Sequence, residues 1–347
     1  VLLRELTQLN YRNLLTPKLA FGEGINAVVG PNASGKSNVL EAVYLACSGE
    51  LPGGRVAEAV RLGEQDGYVS VKLEHQSGTS LIQVGLTPGR KAIRLDGQLI
   101  RSFELVKVAA AVLITPEDAG LVHGSPSQRR HYLDALLSKL SLRYALMLRE
   151  YIRVLEQRNA ALKSPHADAT LAVWSEKFVD LGQGLQHLRE RAVKRIAELA
   201  AAAYNEIAAD GKVLGVALQS GEGYDLQSAL EASRAEERAR GATVVGPHRD
   251  DLLLGLDGHS LQAYGSRGEA RTAALALRVA EYQLLLEKHG EAPVLLIDDF
   301  TAELDQSRRR YLLELAAATP QTLVSGTEAP PEFKRCYRID AGRLTPA

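Results

Sequence analysis

The stretch Val28-Val29-Gly30-Pro31-Asn32-Ala33-Ser34-Gly35-Lys36-Ser37-Asn38 constrains this chain more than any other. Two β-branched residues run into Gly30, and the spacing G-x-x-x-x-G-K-S follows. This pattern predicts a strand, a glycine-rich turn and a helix from Lys36 to about Cys47. The glycines let backbone N–H groups converge, and the helix N-terminus aims its dipole at the same point. An anion, and specifically a phosphate chain, is what such a turn holds. Lys36 is placed for the β- and γ-phosphates of a nucleotide such as ATP, and the Ser37 hydroxyl for Mg²⁺.

A second stretch supplies what the loop lacks. Val294-Leu295-Leu296-Ile297 reads as a buried strand, and it ends in Asp298-Asp299. Asp298 is expected to hold the metal opposite Ser37, and Asp299 to orient or deprotonate an attacking water. A third device is Ser266-Arg267-Gly268-Glu269 at the start of a long predicted helix. Serine, glycine and a helix N-terminus again favour a phosphate, although Ser266 also suits a plain N-cap. Two phosphate sites for one γ-phosphate make sense if they meet across a dimer interface.

The 347 residues exceed what one core usually serves, so two domains or one large insertion are expected. Lys and Arg number 41 against 42 Asp and Glu, so only local charge can argue for nucleic acid. Cys47 and Cys336 stand far apart and form neither a metal pattern nor a disulfide framework, which fits a reducing cytoplasm. No run of about 18 apolar residues is present, and the first residues lack a signal-peptide core, so no membrane partner is expected.

Along the chain, residues 1–29 read as strands around an Asn10-Tyr11-Arg12-Asn13 loop. Alternation over 68–101, with Asp96-Gly97 as a hairpin turn, predicts an antiparallel β subdomain. Val108 to Thr115 reads as a buried strand. From about Ser125 to Arg240 the apolar period is helical, interrupted at Lys163-Ser164-Pro165-His166, which predicts an antiparallel helical hairpin, an arm. Between Ser125 and Arg195 there are 13 Lys/Arg against 7 Asp/Glu. Strands are expected again near Val244, and Thr322-Leu323-Val324 is expected to be the last core strand, ending at Ser325-Gly326-Thr327.

A phosphate loop near the N-terminus, a helical insertion, a serine-glycine signature, a D-D strand and Thr301-Ala302-Glu303-Leu304-Asp305 together resemble the ATP-binding-cassette heads of the SMC class. Within that class the chain is similar to the RecF family of bacterial recombinational repair. Gly246-Pro247-His248-Arg249-Asp250-Asp251, Tyr264-Gly265-Ser266-Arg267-Gly268, and Pro116-Glu117-Asp118 with Gly124-Ser125-Pro126 and Arg129-Arg130 carry that likeness. The resemblance implies an α/β fold, with a mixed β-sheet in a cassette-type head over 1–122 and 241–347 and a helical arm over 123–240. It also implies ATP-dependent homodimerisation through Ser266, Arg267, Gly268 and Asp305, binding of double-stranded and gapped DNA, slow ATP hydrolysis with Lys36 and Asp299 as catalytic residues, and work with RecR and RecO in loading RecA. Arg12 would lie near the γ-phosphate. The cations assigned to DNA are Arg129, Arg130, Lys139, Arg143, Arg149 and Arg153. The chain departs from cassette ATPases at Pro116-Glu117-Asp118, where Gln is usual, and at Ser325-Gly326-Thr327, where His is usual. A transport subunit would show a shorter motif spacing, and a chromosome-structuring SMC protein a far longer coiled coil than the insertion of about 115 residues here.

Overall fold

Strands buried on both faces carry unbroken apolar runs, and the centre of this molecule is such a sheet. The computed structural model describes residues 1–52, 54–108, 110–164, 168–220, 223–300 and 305–347. In chain order, β1 (Leu2–Leu9), β2 (Lys18–Ala20) and β3 (Gly24–Val29) lead to α1 (Lys36–Ser48) and the short α2 (Val56–Ala59). Next come β4 (Gly67–His75), β5 (Gly78–Thr87), β6 (Arg90–Leu95), β7 (Gln98–Ile100) and β8 (Ala111–Ile114). The helices α3 (Gly120–His123), α4 (Pro126–Leu140), α5 (Leu142–Leu162) and α6 (Asp168–Ala208) follow. Then come β9 (Leu214–Leu218), α7 (Leu226–Ala232), α8 (Arg234–Arg240), β10 (Leu252–Leu256), β11 (His259–Ser260), α9 (Leu261–Tyr264) and α10 (Arg267–His289). The chain closes with β12 (Val294–Ile297), α11 (Gln306–Ala318), β13 (Gln321–Gly326), β14 (Phe333–Asp340) and β15 (Arg343–Pro346).

The central sheet runs β15-β14-β3-β13-β12-β8 and is parallel except for β15. Successive side chains feed opposite cores, as the two-residue period requires. Ile25, Ala27, Val112, Ile114, Leu295 and Ile297 face one core with α4, α5, α6 and α10. Val28, Leu113, Val294, Leu296 and Leu323 face the other, with α1 and the antiparallel sheet β2-β1-β4-β5-β6-β7. The phosphate loop and Asp298 both leave the C-terminal ends of parallel strands, where open α/β sheets form their crevice. No described helix is long and apolar enough to cross a membrane.

Three expectations need correction. The chain is not helical throughout to Arg240: β9 intervenes and pairs with β10, outside the expected 123–240 insertion. No strand lies at Val244; the first there is β10. Nor is β13 the last core strand, since β14 pairs with β3 in parallel and β15 closes the edge. The expected break at Pro165-His166 and the Thr301-Ala302-Glu303-Leu304 turn lie outside the described residues.

Candidate nucleotide site

The loop between β3 and α1 is built from positions that exclude side chains. A Cβ on Gly30 would stand 2.2 Å from the Ile339 carbonyl oxygen. Gly35 has φ +108°, and a Cβ there would meet Asn13 Oδ1 at 2.5 Å, so only glycine fits both positions. Asn13 also braces the loop, donating to Ser34 O at 3.2 Å and accepting from Asn38 Nδ2 at 2.8 Å. Lys36 is buried, and its Nζ donates to the loop's own carbonyls at Gly30 (3.1 Å) and Pro31 (2.9 Å). Ser34 Oγ is buried with no hydrogen-bond partner among the described residues.

Asp298 leaves β12 with its backbone N–H bonded to Ile114 O at 2.8 Å. Its Oδ1 accepts from Ser37 Oγ at 3.1 Å and from Ser325 Oγ. The two motif residues expected to share a metal are therefore in contact across 261 residues of sequence. Burial pushes the Asp298 carboxyl above the usual carboxylate range, the serine hydrogen bonds oppose this, and Glu117 and Asp299 add to it. Asp299 adopts φ +48°, a left-handed conformation that Asp tolerates, with its N–H donated to Ser325 Oγ at 2.9 Å.

The sequence reading passed over Glu41 and marked Ser325 only as standing where cassette ATPases usually place His, without a role at Asp298. Ser325 ends β13, the strand between β3 and β12, so the sheet order alone brings it to Asp298. Glu41 lies one helical turn after Ser37, on the same face of α1, a spacing that could have flagged it. It ion-pairs with Arg12 at 2.6 Å, and burial raises its carboxyl. Arg12, expected near a γ-phosphate, is thus anchored on the loop helix. The segment after β8 is also sorted: Asp118 accepts from Thr115 N at 2.8 Å and pairs with Arg278 at 2.7 Å, whereas Glu117 stays exposed and acts electrostatically on Asp298 and Glu41.

Ser266 caps α10. Its Oγ accepts from Glu269 N at 3.2 Å, and its own N–H donates to Glu269 Oε2 at 2.8 Å. Lys212 pairs with Glu269 and, with the capping bonds, holds that carboxyl near pKa 2. Ser266 and Arg267 are exposed, and a Cβ on Gly268 would stand 3.4 Å from Nη2 of Arg308, which pairs with Asp305 at 2.6 Å. Asp305 in turn caps α11, accepting from Arg308 N at 3.0 Å. The signature turn and the Asp305 turn are therefore neighbours.

The DNA assignments divide. Arg129 is buried in a two-pronged pair with Asp251, at 2.7 and 2.8 Å. Lys139 is taken up by Glu281 at 2.8 Å and Tyr44 Oη at 2.9 Å. Neither can reach a phosphate without breaking a buried pair, and both assignments are withdrawn. Arg158 and Arg189, counted in the basic excess, are buried against Glu237 and against Asp134 with Asp250. Arg143, Arg149 and Arg153 are exposed and Arg130 half-buried.

A sheet of this order with phosphate loop, D-D strand and capped signature helix defines an SMC-class cassette head. Residues 2–330 match the model of the family described as RecF/RecN/SMC N terminal domain. The chain is 48% identical to the DNA replication and repair protein RecF of Deinococcus deserti, over 99% of this chain and 95% of the relative. It is 47% identical to the protein of the same name from Deinococcus radiodurans, over 100% and 96%. A solved structure of the recombination mediator protein RecF with ATP superposes with TM-score 0.93 at 30% identity, covering 99% of this chain and 97% of that one. The Smc head domain of Pyrococcus furiosus, at TM-score 0.58 and 15% identity, shares the fold alone. The chain belongs to the RecF family.

Proposed function

We propose that this chain is an ATP-driven dimeric switch on double-stranded DNA in recombinational repair. Residues Gly30 to Asn38 would hold ATP, with Lys36 at its β- and γ-phosphates and Arg12 at the rim. The fit is supported by the two glycine positions that a Cβ would fill and by the buried, unpartnered Ser34 Oγ. Ser37 and Asp298 are hard oxygen donors already in contact, a pair suited to Mg²⁺. Bound there, the ion supplies neutralisation of charge on the phosphoryl oxygens. Asp299 would orient the attacking water, and its short side chain is consistent with slow turnover. Ser266, Arg267, Gly268 and Asp305 would face the partner's nucleotide. Arg130, Arg143, Arg149 and Arg153 would contact DNA. RecR and RecO, and through them RecA at gapped DNA, are the proposed partners, in the cytoplasm.

The observation that carries this reading is the exposed Ser266 at the N-terminus of a 23-residue helix, hydrogen-bonded, among the described residues, only within its own turn. A helix N-terminus fixed by its own cap, with Ser266 and Arg267 exposed at its mouth, would meet a second chain's triphosphate. Light scattering with and without ATP, together with duplex retention under both conditions, tests it. A dimer equally populated without nucleotide refutes it.

A further inference from the structure

The Gly246–Asp251 string is left unused by the nucleotide site. Five of its six residues turn inward. Gly246 has φ +118°, and a Cβ there would stand 2.8 Å from the Phe178 ring. The Pro247 carbonyl accepts from Arg189 at 2.7 Å. His248 Nδ1 bonds Tyr151 Oη at 2.8 Å, and its Nε2 meets Thr243 O at 3.2 Å. Asp250 takes Arg189 at 2.9 Å, and Asp251 takes Arg129.

Arg249 alone faces out. It is exposed, and its side chain has no hydrogen bond or ion pair among the described residues. Beside it, Arg130 donates to the Asp250 carbonyl at 2.7 Å, which fixes a second, half-buried cation next to the same backbone.

The inward contacts are poor value as stability alone. Burying ion pairs costs desolvation, and apolar packing of similar volume often serves a fold as well. What they do supply is one fixed geometry for the loop that carries Arg249, the preorganisation a binding residue needs. An arginine held this way keeps its charge at any physiological pH and matches phosphate oxygens with its planar fork.

We infer that Arg249, with Arg130 beside it, is a phosphodiester contact site for duplex DNA, presented by the buried Gly246–Asp251 knot. The inference rests on the DNA-binding reading above.

The test uses the full chain with MgATP and a fluorescein-labelled duplex, with anisotropy titrations across a range of KCl. Each lost phosphate contact should flatten the slope of log affinity against log salt by about 0.9. For one engaged protomer, a fourfold rise in salt then costs Arg249→Gln about 3.5-fold less affinity than it costs the wild type. Arg249→Lys keeps a point charge and should keep the wild-type slope. Because Arg249 is exposed, both variants should melt with the wild type. A wild type that binds duplex while Arg249→Gln matches its affinity and slope overturns the inference alone. So does a Gln variant that loses binding together with melting temperature and is not rescued by Lys. A wild type without salt-dependent duplex binding overturns the DNA-binding reading, and this inference with it.

Discussion

His248 should make the fold acid-sensitive, by an amount that follows from its surroundings. Its ring lies beside the stacked Tyr151–Phe178 pair, with centroids 6.2 and 6.1 Å away. Nε2 can donate to the Thr243 carbonyl only if it carries the proton, so neutral Nδ1 accepts from Tyr151 Oη. Burial is the largest influence and pushes the imidazole down from 6.5 to about 4; the Thr243 bond opposes this, and Arg249, Arg130 and Arg158 add to it. Between those values the unfolded chain binds a proton that the native chain does not, so stability is lost as pH falls from about 6.5 toward 4. At 1.36 kcal/mol per unit the full loss is about 3 kcal/mol, and about 2 kcal/mol of it lies between pH 7.5 and 5. Urea unfolding of the wild type and His248→Gln, followed by Trp174 fluorescence at both pH values, isolates the term from carboxylates common to both. The variant should be less stable at pH 7.5, and the gap should close by about 2 kcal/mol at pH 5. Parallel pH curves for the two proteins refute the reasoning.

Lys36→Met should abolish ATP-driven dimerisation, read by light scattering, because charge-assisted contacts to the phosphates are the strong class of hydrogen bond. Ser266→Arg should cost about 10²–10³ in hydrolysis rate; mixed with Lys36→Met, it should recover up to about a quarter of the sites if each nucleotide is shared between two chains. No recovery in mixtures shown by crosslinking to contain mixed dimers refutes sharing. Arg129→Gln leaves Asp251 buried without its cation and should destabilise by about 3–5 kcal/mol in urea unfolding, while the salt slope of DNA binding by the folded protein stays unchanged. Arg149→Glu with Arg153→Glu should weaken duplex binding alike for all sequences and flatten its salt slope, and unchanged binding would clear the arm of that role.

What was legible in the sequence is chemistry that one short stretch completes by itself. The phosphate loop needs its glycines and its lysine within eight residues, and α1 starts at Lys36 as the spacing requires. Ser266 and Asp305 announce their helices in the same local way, each capping the helix that follows. β9 failed because Leu214-Gly215-Val216-Ala217-Leu218 is a five-residue apolar run amid helical periods, too short for periodicity to decide. β14 failed because Lys334, Arg335 and Arg338 break its apolar pattern; these residues are exposed, and only pairing with β3 makes the segment a strand. Ser325 and Glu41 have no motif of their own. Their roles exist only because β13 lies between β3 and β12 and because α1 turns Glu41 toward Arg12.

Arg129 and Lys139 of the basic arm were misread for a different physical reason. A local tally counts each cation but not an anion that folding brings from far away. Arg158 meets Glu237 across 79 residues, Arg129 meets Asp251 across 122, and Lys139 meets Glu281 across 142. These cations therefore tie α4 and α5 to distant parts of the chain, and the ties end at particular places. Glu281 belongs to α10, where it also pairs with Arg278, which in turn holds Asp118 beside the nucleotide crevice. Lys139 reaches from α4 to both Glu281 and Tyr44 of the phosphate-loop helix α1. Buried pairs of this kind break only at a cost of several kcal/mol, so this pair holds α4 against α10. The helix so tied to the insertion is the one that Ser266 caps, so α4 and α10 share one core and one buried ion pair.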